Sequence, residues 1–170
     1  MKSKVLTMTL LASSTMIGYS TTTVAEEICY SVGGSLTTEN ITPTIQLGNM
    51  TLTLSYDTGE VFSETGSLVG NITGGDAAIG QSVLSHTARF SQGDSLVTEG
   101  DVAQITGILD VDENSVPCAF SIYEQITDIA KGTRFFKNVT SANVVALGTV
   151  SNCPNLNENS FNLQGELCVE

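Results

Sequence analysis

The side chains of this chain with chemistry to offer are four cysteines, one histidine and a few carboxylates in phase with apolar residues. No two of Cys29, Cys118, Cys153 and Cys168 stand at CxxC spacing, and His86 is the sole histidine, so a cysteine-histidine zinc centre is not expected. An even cysteine count reads as two disulfides, with three pairings open, and leaves no free nucleophilic thiol. The chain has no GxSxG elbow, HExxH pair, Walker loop or dinucleotide fingerprint. A Ser-His-Asp triad would have to use His86, and only geometry can reveal one.

Three ionisable groups are expected to point inward. His86 is in phase with Leu84, Ala88 and Phe90; Glu124 with Cys118, Phe120, Ile122 and Ile126; Glu64 with Phe62 and Leu68. Burying such groups unpaired costs on the order of several kcal/mol, so each needs a partner, hydration or a place at a pocket mouth. Two readings follow: a polar spot that orients a ligand or exchanges a proton, or structural hydrogen bonds and slips of phase at bulges. Asp110-Val-Asp112-Glu-Asn114 opens like a calcium loop, but Ser115 stands at the sixth position and Ser121 at the twelfth, so a plain acidic turn is the simpler reading. Asn40, Asn49, Asn71 and Asn138 begin sequons that a eukaryotic host would glycosylate where exposed.

The elements that must position these groups are strands. Thr, Val, Ile and Ser are abundant, Gly and Asn punctuate short alternating runs, and no helical period emerges after the first residues. Eight strands are predicted: Ile28 to Leu36, Met50 to Tyr56, Val61 to Ile72, a fourth around Leu84 to Phe90, Ser95 to Ile108, Cys118 to Ile129, Asn143 to Ser151, and Ser160 to Val169. The fifth fails to alternate cleanly, and Glu99-Gly100-Asp101 in its middle reads as a bulge. Turn signals lie at Asp57-Thr58-Gly59, Gly74-Gly75-Asp76, Gln92-Gly93-Asp94, Asp112-Glu113-Asn114 and Asn155 to Asn159.

The N-terminus reads as a cleaved secretory signal over residues 1–25. Lys2 and Lys4 precede a mostly apolar run, and Thr23-Val24-Ala25 presents small residues for cleavage. Thr7, Thr9, Ser13 and Ser14 interrupt that run, so it is too short and polar to span a bilayer. Residues 26–170 suit one domain. The two signal lysines leave with the peptide, and four basic residues then face 18 acidic ones. So acidic a surface repels phosphate backbones, which excludes nucleic acid as a partner. The expected compartment is secreted or periplasmic, where disulfides persist.

Register assigns the cysteines. A hairpin of the sixth and seventh strands that pairs Ile129 with Asn143 places Cys118 nearly opposite Cys153. Cys29 and Cys168 lie near opposite ends of the chain, each on the face of its strand away from the apolar residues. A closed barrel with an even number of antiparallel strands sets the first beside the last. The expected bonds are Cys29–Cys168 and Cys118–Cys153, in an eight-stranded antiparallel barrel with a β-sandwich as the alternative.

The stretch from Ile126 to Ala142 holds a strand running into Gly132-Thr133-Arg134-Phe135-Phe136, and is followed by a Val/Ala/Gly strand at Val144 to Val150 and by Phe161-Asn162-Leu163-Gln164-Gly165-Glu166. This C-terminal half resembles the allene oxide cyclase and dirigent barrel superfamily, which usually has a small residue where Phe136 stands. The resemblance implies an eight-stranded barrel with an apolar lumen, often oligomeric, in a superfamily that includes a cyclase of fatty-acid-derived epoxides and proteins that orient phenoxy radicals. The leading expectation is an exported soluble barrel, without a cofactor, that binds a small apolar or amphipathic ligand or serves as a secreted accessory protein. An isomerase or cyclase using inward acid-base groups is the second. An outer-membrane barrel is the third, opposed by the lack of Trp, sparse aromatics, the final Glu170 and the disulfides.

Overall fold

A computed structural model describes residues 26–57 and 59–170, so the signal reading of residues 1–25 lies outside the described residues. Among the described residues, nine strands form one antiparallel sheet: β1 (Ile28–Thr42), β2 (Ile45–Tyr56), β3 (Gly59–Asp76), β4 (Gln81–Phe90), β5 (Ser95–Val111), β6 (Pro117–Ile126), β7 (Ile129–Thr133), β8 (Val139–Ser151) and β9 (Asn159–Val169). The sheet closes on itself through β4–β5 and β1–β9, making an eight-stranded barrel rather than a sandwich.

The ninth strand comes from a break. β6 pairs with β5 from Val111 down to Val102, stops at Ile126, and the chain resumes pairing with the same strand as β7, where Thr98 faces Ile129 and Ser95 faces Thr133. The predicted sixth strand, Cys118 to Ile129, is thus interrupted at Thr127-Asp128. The hairpin register also differs: Ile126 faces Val144, two residues from the expected pairing. A two-residue shift preserves which face each side chain takes, so the inward assignments survive it. The expected turn at Gly74-Gly75-Asp76 belongs to the end of β3; the reversal is made by a 3-10 turn, Ala77–Ile79, capped by the Asp76 side chain.

The lumen is the core. Leu52, Leu54, Leu68, Ala88, Phe90, Leu96, Val144, Ala146, Phe161, Leu163 and Leu167 are buried in it, as the period-2 alternation requires. One end is closed by a second 3-10 segment, Arg134–Asn138. Its Phe136 is buried and packs 5.2 Å from Phe62 and 5.5 Å from Phe90, while Phe135 reaches Tyr30 at 5.5 Å. Towards the other end, Asn159 is wholly buried and fully served. It donates to Thr38 Oγ1 and Asn40 Oδ1, and accepts from the Ser151 amide.

Disulfides join Cys29 to Cys168 and Cys118 to Cys153. The first cross-links directly paired residues of the first and last strands, on the seam that closes the barrel.

Candidate functional site

Three strands bring ionisable groups to one spot on the lumen wall. β4 turns His86 inward opposite Gly70 of β3. A Cβ on Gly70 would stand 3.1–3.2 Å from the imidazole Cδ2 and Nε2, so the glycine leaves the seat the ring occupies. β6 supplies Glu124, in the inward phase read from its sequence.

β5 supplies Asp101, which alternation alone would have faced outward. Leu96 and Thr98 point in, Gly100 adds a residue at φ 74°, and the register shift turns Asp101 and Ala103 inward. A left-handed φ of this kind is where glycine is favoured in a bulge. Asp101 was missed in the sequence, although the bulge that delivers it was legible.

The geometry is tight. His86 Nδ1 lies 2.8 Å from Asp101 Oδ2 and 3.5 Å from Glu124 Oε1. The Thr98 hydroxyl donates to Asp101 Oδ2 and accepts from the His86 amide at 3.2 Å. Asp101 is wholly buried and Glu124 is 5% exposed. Asp101 Oδ1 and Glu124 Oε1 are buried with no hydrogen-bond partner among the described residues. The 3.5 Å approach of His86 to Glu124 does not satisfy that oxygen, because the one Nδ1 proton is directed to the nearer Asp101.

Electrostatics follow from burial and neighbours. Burial lowers the pKa of His86, but the hydrogen bond with Asp101 and the negative charges of Glu124 and Asp101 outweigh it, leaving the group above its ordinary value near 6.5. Burial raises Glu124 above 4.5; the His86 charge opposes this and the Asp101 charge adds to it. A raised carboxyl beside a raised imidazole is a local store of protons in an apolar lumen.

These groups edge a cavity of about 60 Å³, with His86, Glu124, Thr98 and Gln46 as its polar lining and Leu36, Leu68, Ile126, Ala146, Phe161 and Leu163 among the apolar side chains. One water needs roughly 10–15 Å³, so this is room for several waters or a short apolar group. No protein-family model, curated protein or solved structure matches this chain.

The other candidates lie elsewhere. Glu64 points inward but is about 20 Å along β3 from the residue facing His86. Its Oε2 accepts from the Gln92 amide at 3.0 Å and the Ser91 hydroxyl at 3.3 Å, holding the β4–β5 turn. The bonds it makes are those of a turn clamp, apart from the cluster around His86. Asp110 lies near the end of β5, opposite Ala119, and Asp112 and Asn114 sit in the β5–β6 turn. One Asp112 oxygen accepts the amides of Asn114 and Val116 and so builds the turn, while Asp110 accepts the amide of Val111 at the end of β5.

Of the sequon asparagines, Asn49, Asn71 and Asn138 are exposed. Asn40 is not. Its amide donates to Ser151 O and accepts from Gln46 and Asn159, because the pairing of β1 with β9 carries it into the network around Asn159.

Proposed function

We propose that this chain is an exported barrel, in the secreted or periplasmic compartment, whose lumen takes a small apolar or amphipathic molecule with one polar group held at His86 and Glu124. The observation that carries this reading is the contrast between two buried polar clusters. Around Asn159 every amide atom has a partner, which is what a structural network requires. At His86 two carboxylate oxygens have none, and the cluster edges an apolar cavity instead of being packed over. A ligand donor or a bridging water at that edge would supply the partner that Glu124, which lines the cavity, lacks. The apolar lumen and the Thr/Ser-rich outer face of β2 favour this over an outer-membrane barrel, whose alternation runs the other way.

A second reading, an isomerase or cyclase of the kind the C-terminal half resembles, is favoured by one further feature. His86 Nε2 makes no hydrogen bond among the described residues, while Nδ1 is engaged by Asp101. An imidazole so oriented can accept a proton at Nε2 while the neighbouring Glu124 carboxyl donates one, the pairing that proton transfer across a double bond or epoxide requires.

Native mass spectrometry of the disulfide-bonded protein tests the binding reading, followed by titration with a short-chain fatty acid and its alcohol. One equivalent should bind. Ala146→Leu, which fills the cavity wall, should abolish binding, and Glu124→Gln should change the preference between acid and alcohol. A clean apo mass, together with no binding of either probe, would remove the reading.

A further inference from the structure

We propose that His86, Asp101 and Glu124 form a binding site for one divalent transition ion, for which Zn²⁺ is the best-matched probe. One nitrogen and one oxygen from each carboxylate lie within 4.8 Å of one another. Donors about 2.0–2.2 Å from a common tetrahedral centre stand roughly 3.3 Å apart. The observed 2.8 Å and 3.5 Å separations of Nδ1 from the two carboxylates bracket that value, so small rotamer adjustments suffice.

Charge points the same way. Two carboxylates and a neutral imidazole balance a dication, so an ion can sit in an apolar lumen without leaving net charge there. The two orphan oxygens, Asp101 Oδ1 and Glu124 Oε1, mark carboxylates whose lone pairs the fold leaves unused. The Thr98 hydroxyl donates to Asp101 Oδ2 and so fixes that carboxylate, as hydrogen-bonded neighbours orient ligands in metal sites. His86 and Glu124 line the cavity while Asp101 is wholly buried. The fourth coordination position therefore faces the lumen, where it takes a water or the polar atom of a bound molecule. The spacing that argued against a cysteine centre does not bear on this one: all four cysteines are in disulfides, so no thiolate competes. The site stands on side-chain geometry and does not require the lumen ligand proposed above.

His86 is the chain's single histidine, so its ring nitrogens give one unambiguous nuclear magnetic resonance signature. The untagged, disulfide-bonded protein, stripped with a chelator and dialysed, would be titrated with ZnCl₂ by calorimetry and by ¹⁵N imidazole spectra. The expected result is one equivalent bound, with the Nδ1 resonance moving on coordination and Nε2 carrying the proton. Glu124→Gln, which keeps the side-chain shape, should weaken Zn²⁺ binding at least about tenfold. An unmoved imidazole at saturating Zn²⁺, coordination through Nε2, or wild-type affinity in a folded Glu124→Gln protein overturns the proposal. Should that variant fail to fold, the wild-type spectra alone decide, because they report which nitrogen meets the ion.

Discussion

His86 Nδ1 and Asp101 Oδ2 meet at 2.8 Å across β4 and β5 only because Gly100 adds a residue to β5 between Thr98 and Asp101. Without that bulge, strict alternation would leave Asp101 on the outer face and His86 without its nearest partner.

Gly100 should therefore be sensitive for a reason unrelated to crowding. A Cβ there meets nothing within 4 Å, but φ is 74°. Gly100→Ala is expected to lower stability by about 1 kcal/mol from backbone conformation alone, read as a shift of the urea midpoint at unchanged slope. An equal loss in Gly100→Asn, whose side chain tolerates this region better, would point to some other cause.

Stability of the chelator-treated protein should fall as pH rises. His86 and Glu124 are both held above their ordinary values near 6.5 and 4.5, so folding favours the protonated form of each. That contribution is complete below the unfolded values and is lost as pH climbs through the higher folded ones. Melting should come at a higher temperature at about pH 5 than at about pH 8, and Glu124→Gln, which cannot ionise, should show a smaller drop. A melting temperature that rises over this interval would contradict the stated directions.

The two disulfides should differ in weight. Cys29–Cys168 spans 139 residues and Cys118–Cys153 spans 35, so loop-closure entropy assigns them about 5 and about 4 kcal/mol respectively. Paired serine replacements, compared by denaturant midpoint, should show the larger loss for the first pair, which also fastens the closing seam of the barrel. The reverse order would show that the isolated seam holds through its hydrogen bonds.

Phe136 closes the lumen at the end away from Asn159. It is 1% exposed and touches Phe62, Phe90 and Phe135, so Phe136→Ala should cost about 3–5 kcal/mol. If the fold survives, the enlarged lumen should admit longer-chain ligands than the wild type, measured by the same fatty-acid titration.

Much of the architecture was legible beforehand because sheet periodicity is a local property. Met50, Leu52 and Leu54 alternate with threonines, and Leu84, His86, Ala88 and Phe90 share one phase, so faces could be assigned strand by strand. Cysteine placement then limited how the strands could close. Exact pairing was less legible: the hairpin of β6 and β8 lies two residues from its expected register, because β7 and the Phe135-Phe136 turn occupy what pattern alone read as a simple connection.

By itself the sequence determined an all-β domain, three inward acid-base groups and a cysteine set that fits a closed barrel, since alternation and composition are written residue by residue. Only the tertiary structure decided that Asp101 joins His86 and Glu124 while Glu64 clamps a distant turn. The reason is physical: a single bulge inverts every side chain beyond it, and barrel stagger sets which inward residues of different strands meet.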